Sequence, residues 1–402
     1  MTALNDPISH GDGTPQPSYG SDAARLQSHA EHSGTPRSQT LDLLRAVAVL
    51  LVLGRHLDLD GCQAGGLVRR GLEAWYRGGW TGVDLFFVLS GFLISGLLFR
   101  EHQQHGRISY KRFFIRRGLK IYPPFYLLLL VTWGVHWYQT GRLETRGLIV
   151  EAFFVQNYFV GWWSHAWSLA VEEHFYLLLP MILIVLAWAH AARRDKFKLI
   201  PWILVGLALL CLGLRLVVSL RHPYNFGTHQ ARTHLRIDSL FFGVMLSYFY
   251  HYHPAWLPRL RPYRLMLLIP GLFMILPAFI FPVETTFFLH TSGMTLLYIG
   301  FGLILMAMLA GPVCQYRPLS WIAYVGSRSY SIYLWHLPLA FWGVAVVNHF
   351  FGGFGSWWLY AGFYLGGAVV VGIAMSELAE YPVIRLRDRM FPSRSNPLTT
   401  QT

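Results

Sequence analysis

The chain has 402 residues, 54% of them hydrophobic and 13% charged, with 15 Trp and a net charge of +13. Soluble domains carry about 25% charged residues, so this composition excludes an ordinary soluble enzyme and points to a membrane protein. The positive charge does not signify nucleic acid, because the basic residues cluster between apolar runs, and the scattered Cys62, Cys211 and Cys314 form neither a metal-ligand spacing nor a disulfide framework.

Residues 1–40 are rich in Ser, Gly, Pro, His and Gln and lack an apolar face. They read as a disordered polar leader, and no short apolar run with a cleavage site marks a signal peptide. Residues 41–385 read as an all-α, polytopic membrane domain, and 386–402 as a short basic cytoplasmic tail. About ten apolar runs approach the ~20 residues that cross a bilayer: 41–59, 80–99, 121–138, 164–190, 199–220, 236–252, 265–283, 291–311, 327–347 and 357–379. The aromatic stretch 148–163 is expected along the outer interface. With both termini cytoplasmic, 21 Lys and Arg fall on inner segments and 7 on outer ones, the bias expected of a multi-pass protein of the cell inner membrane. No internal repeat is visible, so an inverted-repeat transporter gains no support.

Arg45 and His56 lie eleven residues apart in the first apolar run. That is close to three helical turns, so both share one face, ~16 Å apart along the axis. Ionisable groups inside an apolar segment are costly, which makes each a functional candidate. The alternatives are a hydrogen bond from His56 to a neighbouring helix and snorkelling of Arg45 to the headgroups. The second span runs back inward, and its Asp84 is expected at the depth of His56. There a carboxylate would orient the imidazole and leave its other nitrogen free as a base. Next comes the basic loop Lys111-Arg112-Phe113-Phe114-Ile115-Arg116-Arg117-Gly118-Leu119-Lys120. Arg117 and Lys120 share a face if the third helix starts here, and with Arg116 they are placed to grip phosphates.

Further on, Glu172, Glu173 and His174 fall within one span. Adjacent residues point about 100° apart, so one carboxylate is expected inside, Glu172, and one at a rim. Arg236 and Asp238 open the sixth span and are expected to pair with each other. His336 is a second histidine at mid-membrane, either structural or catalytic, and Glu377 and Glu380 are expected at the interface.

Five segments in order resemble the membrane-bound acyltransferase 3 family of O-acyltransferases. They are Leu41-to-Arg45 with His56, Gly82-to-Ile94, the basic Arg116-to-Pro123, Trp167-to-Tyr176 and Ser329-to-Pro338. The resemblance implies ten transmembrane helices and a cytoplasmic acyl-CoA co-substrate, commonly acetyl-CoA. It implies no permanently bound cofactor, and no metal site is expected. The acceptor would be a hydroxyl, often of a carbohydrate beyond the inner membrane. It maps the family's key arginine and histidine to Arg45 and His56, and its basic pair to Arg117 and Lys120. The family usually has arginine where Lys120 stands and glutamine where His174 stands. Some relatives carry a fused extracytoplasmic hydrolase-like domain, and none is expected here. With the residue-level reading above, the expected catalytic set is His56, Asp84 and Glu172, with Arg45, Arg116, Arg117 and Lys120 on the donor. The rivals are a proton-coupled transporter or exporter, which needs the same intramembrane charges, and a subunit that hands acyl groups to a partner protein. Acceptor identity, acyl length and oligomeric state stay open.

Overall fold

The computed structural model describes residues 36–142, 144–311 and 317–394, and it is helical with no strand among them. The polar leader falls outside these residues apart from its end, which is already helical, and so do the last eight residues of the tail.

The first helix, α1 (Pro36–Arg55), is followed by α2 (Gly66–Gly78), a single tight turn and α3 (Gly82–His105). Then come α4 (Tyr110–Thr140), short α5 (Arg146–Ala152), α6 (Trp167–Ala189), α7 (Ile200–Arg221) and α8 (Ile237–Tyr252). The last third holds α9 (Arg264–Ile275), α10 (Ser292–Ala310), α11 (Arg317–Ser327), α12 (Ser329–Pro338), α13 (Trp357–Met375) and α14 (Tyr381–Met390). The basic loop after α3 is thus the first three turns of α4, which puts Arg117 and Lys120 on one helix as their spacing predicts.

Among the described residues, eight helices are long and apolar enough to cross a membrane. The other two expected spans fall on α1 and α8. α1 carries Asp42, Arg45 and Arg55, and α8 is 16 residues long. α8 packs against α3 and α7, and α1 packs against α3 and α11 while leaving Val47 and Leu50 exposed.

α3 crosses α8 at backbone contact. A Cβ on Gly91 would lie 1.9 Å from the Leu240 carbonyl oxygen, and one on Gly243 would lie 2.2 Å from that of Val88. Only glycine on both sides lets the backbones approach this closely, as small residues do between membrane helices. The crossing carries the buried ion pairs described below. At the far end of the bundle, one π-helical turn, Ser376–Glu380, joins α13 to α14. Its extra residue turns Glu380 inward, where the carboxylate accepts hydrogen bonds from Ser331 (2.8 Å) and Ser376 (3.2 Å). Glu380 is therefore buried rather than interfacial, whereas Glu377, partly exposed, pairs with Arg328 at 2.8 Å.

Gly91→Val tests the crossing. Forcing side-chain volume into a filled contact costs about 1–3 kcal/mol, so the purified protein should melt at a lower temperature, while Gly134→Val, where a Cβ meets nothing within 4 Å, should not shift it comparably.

Candidate functional site: a histidine cluster reached from a basic mouth

His56 follows the last residue of α1, and its Nδ1 lies 3.0 Å from the Val52 carbonyl oxygen, four residues back. An imidazole N–H donating to a carbonyl fixes the proton on Nδ1 and leaves the Nε2 lone pair open. The His336 ring on α12 stands edge-on to His56, with centroids 5.0 Å apart at 62°. Its Nδ1 lies 2.6 Å from the Tyr333 carbonyl, and its Nε2 is buried without a partner. The His165 ring, two residues before α6, stands 5.0 Å from His336 at 80°. Its Nε2 is 3.2 Å from the Leu334 carbonyl and its Nδ1 has no partner. Three imidazoles from three elements thus form one cluster, each held by a backbone carbonyl through one nitrogen.

This arrangement corrects one expectation. Asp84 does not hold the His56 ring. It is buried, and its Oδ1 accepts from Arg236 Nη2 at 2.7 Å. Arg236 in turn lies against the rings of Trp167 and Phe87 at 5.6 and 5.8 Å. Nor does Arg236 pair with Asp238, which instead takes a two-pronged contact from the guanidinium of Arg215 at 2.5 and 2.6 Å. The reason is helical geometry. Asp238 points from the first turn of α8 toward α7, while Arg236, just outside that helix, reaches α3.

Four cavities adjoin one another through the bundle. A basic mouth of about 300 Å³ shares Arg45, Leu93, Ile94, Arg117 and Lys120 with a narrower central cavity of about 110 Å³. The central cavity shares Val83 and Tyr333 with the cavity that holds His56 and His165. That cavity shares Arg55 and His56 with an outer cleft lined by Asp58, Arg69, Glu73, Tyr76 and Glu284. Arg45 on α1 and His56 just after it therefore sit toward opposite ends of a route, as their spacing predicts. Arg45, held 2.8 Å from Asp42 one turn before it, lines the mouth.

Both glutamates of α6 line the central cavity, not Glu172 alone. Glu172 accepts the Tyr176 hydroxyl, and Arg117 donates to the same Tyr176 while lying 4.3 Å from its ring centroid and 3.9 Å from Glu172. Glu173 accepts the Tyr122 hydroxyl at 3.1 Å. Neighbouring side chains 100° apart both reach the cavity because α4 flanks it, offering Arg117 to one and Tyr122 to the other. Among the described residues Lys120 has no ion pair, which leaves its ammonium to the cavity. Arg116 differs from these two. It binds Asp388 at 3.0 Å and donates to the Phe391 carbonyl, so it ties α4 to the end of α14. His174 points elsewhere, with Nδ1 2.7 Å from the Thr233 hydroxyl.

The sequence reading missed His165. The available signal was positional: His56 ends one span and His165 opens an oppositely directed one, which places both at the same depth. The segment leading to His165 is pinned by two carboxylates of opposite character outside the spans. The Gly147 amide, donating at 3.0 Å, holds the Glu144 carboxyl low, and Trp162 donates to it as well. Burial pushes the Glu151 carboxyl up to about 7, against the opposing pull of the Trp163 amide that donates to it at 2.6 Å. Just after Glu151 comes Phe154, whose φ of +56° is rare for a bulky residue. Its ring stacks on Phe125 of α4, with centroids 4.9 Å apart. Among the described residues no group of three or more His, Cys, Asp or Glu side chains is placed to hold a metal ion.

A family profile described as an acyltransferase domain matches residues 39–377. The peptidoglycan O-acetyltransferase OatA of Listeria monocytogenes is 30% identical over 334 residues, 75% of this chain and 49% of that protein. A putative O-acetyltransferase of Staphylococcus aureus is 30% identical over 336 residues, 74% of this chain and 50% of its own length. The putative peptidoglycan O-acetyltransferase YrhL of Bacillus subtilis is 28% identical over 334 residues, 74% and 48% respectively. The chain spans about half the length of these curated relatives. No solved structure matches it.

Two outcomes are expected of this architecture. Asp84→Ala strands the Arg236 guanidinium in the interior, which costs about 3–5 kcal/mol. Its melting temperature should fall further than that of the paired change Asp84→Leu with Arg236→Met. Glu151 gives a pH dependence. A carboxyl raised above its ordinary value near 4.5 stabilises the fold while protonated, and that contribution is lost as pH rises through about 7. Hydrogen exchange in residues 153–166 should quicken from pH 6 to 8, beyond the intrinsic change, and Glu151→Gln should flatten that rise.

Proposed function

Because this chain belongs to the acyltransferase 3 family, we propose that it moves an acyl group, acetyl in the first instance, from cytoplasmic acyl-CoA to a hydroxyl of a cell-envelope carbohydrate across the inner membrane. The names of its relatives, peptidoglycan O-acetyltransferases among them, favour a peptidoglycan-type sugar as acceptor. The observation that carries the reading is the run of adjoining cavities from the basic mouth to His56, whose ring borders both the inner route and the outer cleft.

In this reading the donor phosphates rest against Arg45, Arg117 and Lys120. Charge-assisted contacts hold them there, with Lys120 as a point charge where a guanidinium would offer a fork. The thin pantetheine arm follows the central cavity past Val83 and Tyr333 and brings the thioester beside His56. The acceptor enters by the outer cleft. His56 Nε2 takes the hydroxyl proton while the Val52 carbonyl holds Nδ1–H in place. The oxygen attacks the thioester carbonyl, the C–S bond breaks, and the imidazolium returns its proton to the departing sulfur. The ester forms and the thiol leaves, with atoms and charge balanced. Asp84 acts at one remove, since its pair with Arg236 fixes the wall formed by Trp167 and Phe87. Glu172 keeps Arg117 and Tyr176 in register beside the central cavity.

A positioned general base contributes about 10²–10⁴-fold. Membranes containing His56→Ala should therefore transfer labelled acetyl from acetyl-CoA at least a hundredfold more slowly than wild type while still being thermally stabilised by coenzyme A. Undiminished label on the acceptor removes His56 from the reaction. Flux of the acceptor without any acyl donor would favour a carrier.

A further inference from the structure

The basic mouth holds more positive charge than the inner grip on a donor needs. Eight Lys or Arg side chains line it, with Glu101 as the one carboxylate. A side preference for basic loops explains which face they occupy, but not why they converge on a cavity. Among the described residues the carboxylates seen paired with them are Asp42 on Arg45, Glu172 on Arg117 and Asp388 on Arg116 and Arg387, so basic side chains outnumber carboxylates around the mouth. Like charges gathered around a cavity repel one another unless an anion fills it.

The lining falls into two tiers. The inner tier is Arg45, Arg117 and Lys120, which the mouth shares with the central cavity. The outer tier is Arg100, Arg112, Arg116, Arg387 and Arg394, which face the mouth only. Two of these, Arg387 and Arg394, come from α14 and the residues just after it. That segment is held over the mouth by its backbone, for Arg112 donates to the Pro392 carbonyl and Arg116 to that of Phe391. The same Arg112 keeps its Nε buried and unpartnered.

Resting on the acyl-CoA reading above, we propose that α14 and its extension form the outer half of the donor site, in which Arg387 and Arg394 bind a phosphate monoester separate from the diphosphate at the inner tier. The ligand class is a nucleotide thioester with phosphate at two places. A monoester and a diphosphate together carry about three and a half to four negative charges, which suits a mouth lined by this many basic side chains. An acyl phosphate or a bare pantetheine thioester would leave the outer tier unfilled. An anionic lipid headgroup offers the same chemistry from a different source, and the experiment separates the two.

Thermal-shift titrations of the full chain in neutral-lipid nanodiscs would compare coenzyme A with 3′-dephospho-coenzyme A. Losing contacts to a charged group of this kind costs about tenfold or more in affinity. Wild type should bind the dephospho form at least tenfold more weakly, and in Arg387→Gln/Arg394→Gln that ratio should fall toward one. Each protein serves as its own reference, so a general loss of stability does not imitate the result. An equal ratio in both proteins overturns the proposal. So does stabilisation that requires anionic phosphatidylglycerol and ignores the 3′-phosphate, which assigns the outer tier to headgroups. If neither form of coenzyme A stabilises wild type or His56→Ala, the acyl-CoA reading itself fails; if both forms bind wild type equally, only the outer tier does.

Discussion

Within an apolar bundle no bulk water rescues a stranded charge, so Asp84 and Arg236 must stay together once α3 and α8 have closed. The same holds for Arg215 and Asp238, which fasten α7 to α8. The glycine crossing of α3 on α8 brings these helices near enough for the short guanidinium contacts, and the contacts oppose separation of the crossing. Arg236 then backs the indole of Trp167, which lines the cavity holding His56. A charged pair that touches no proposed substrate thus shapes the wall where the proposed transfer takes place.

The histidine cluster follows a different rule. Carboxylates often orient a catalytic imidazole, yet here backbone carbonyls do so for all three rings. A carbonyl needs no counter-charge of its own, so the cluster adds no further ion to an interior that already contains two buried pairs. The carboxylates of the route, Glu172 and Glu173, stand instead in the central cavity, where Glu172 accepts from Tyr176 beside Arg117 and Glu173 accepts from Tyr122 with its other oxygen buried and unpartnered.

What the sequence discloses here is what one helix encodes. Arg45 and His56 share a face of α1, and Arg117 and Lys120 share one of α4, because periodicity alone decides both. The helical class follows from the apolar runs. Pairings between distant segments are not written locally. Asp84 meets Arg236 across 152 positions, and Asp238 turns to α7 although Arg236 is two residues away. Glu380 faces inward only because a π-helical turn adds a residue, which no count at 3.6 per turn foresees. His165 joins the cluster through a loop whose path is set by Glu144 and Glu151 at its far end.

The carbonyl-held rings have an electrical consequence. An imidazole without a carboxylate neighbour is neutral before the proposed transfer and neutral after it. In that proposal the proton it borrows would leave an oxygen and reach a sulfur on either side of the same ring. Moving a full charge across a bilayer is worth about 2.3 kcal/mol per 100 mV, but this excursion spans only a small fraction of that field. Turnover built this way is blind to membrane voltage and would run alike in an energised cell and a depolarised one.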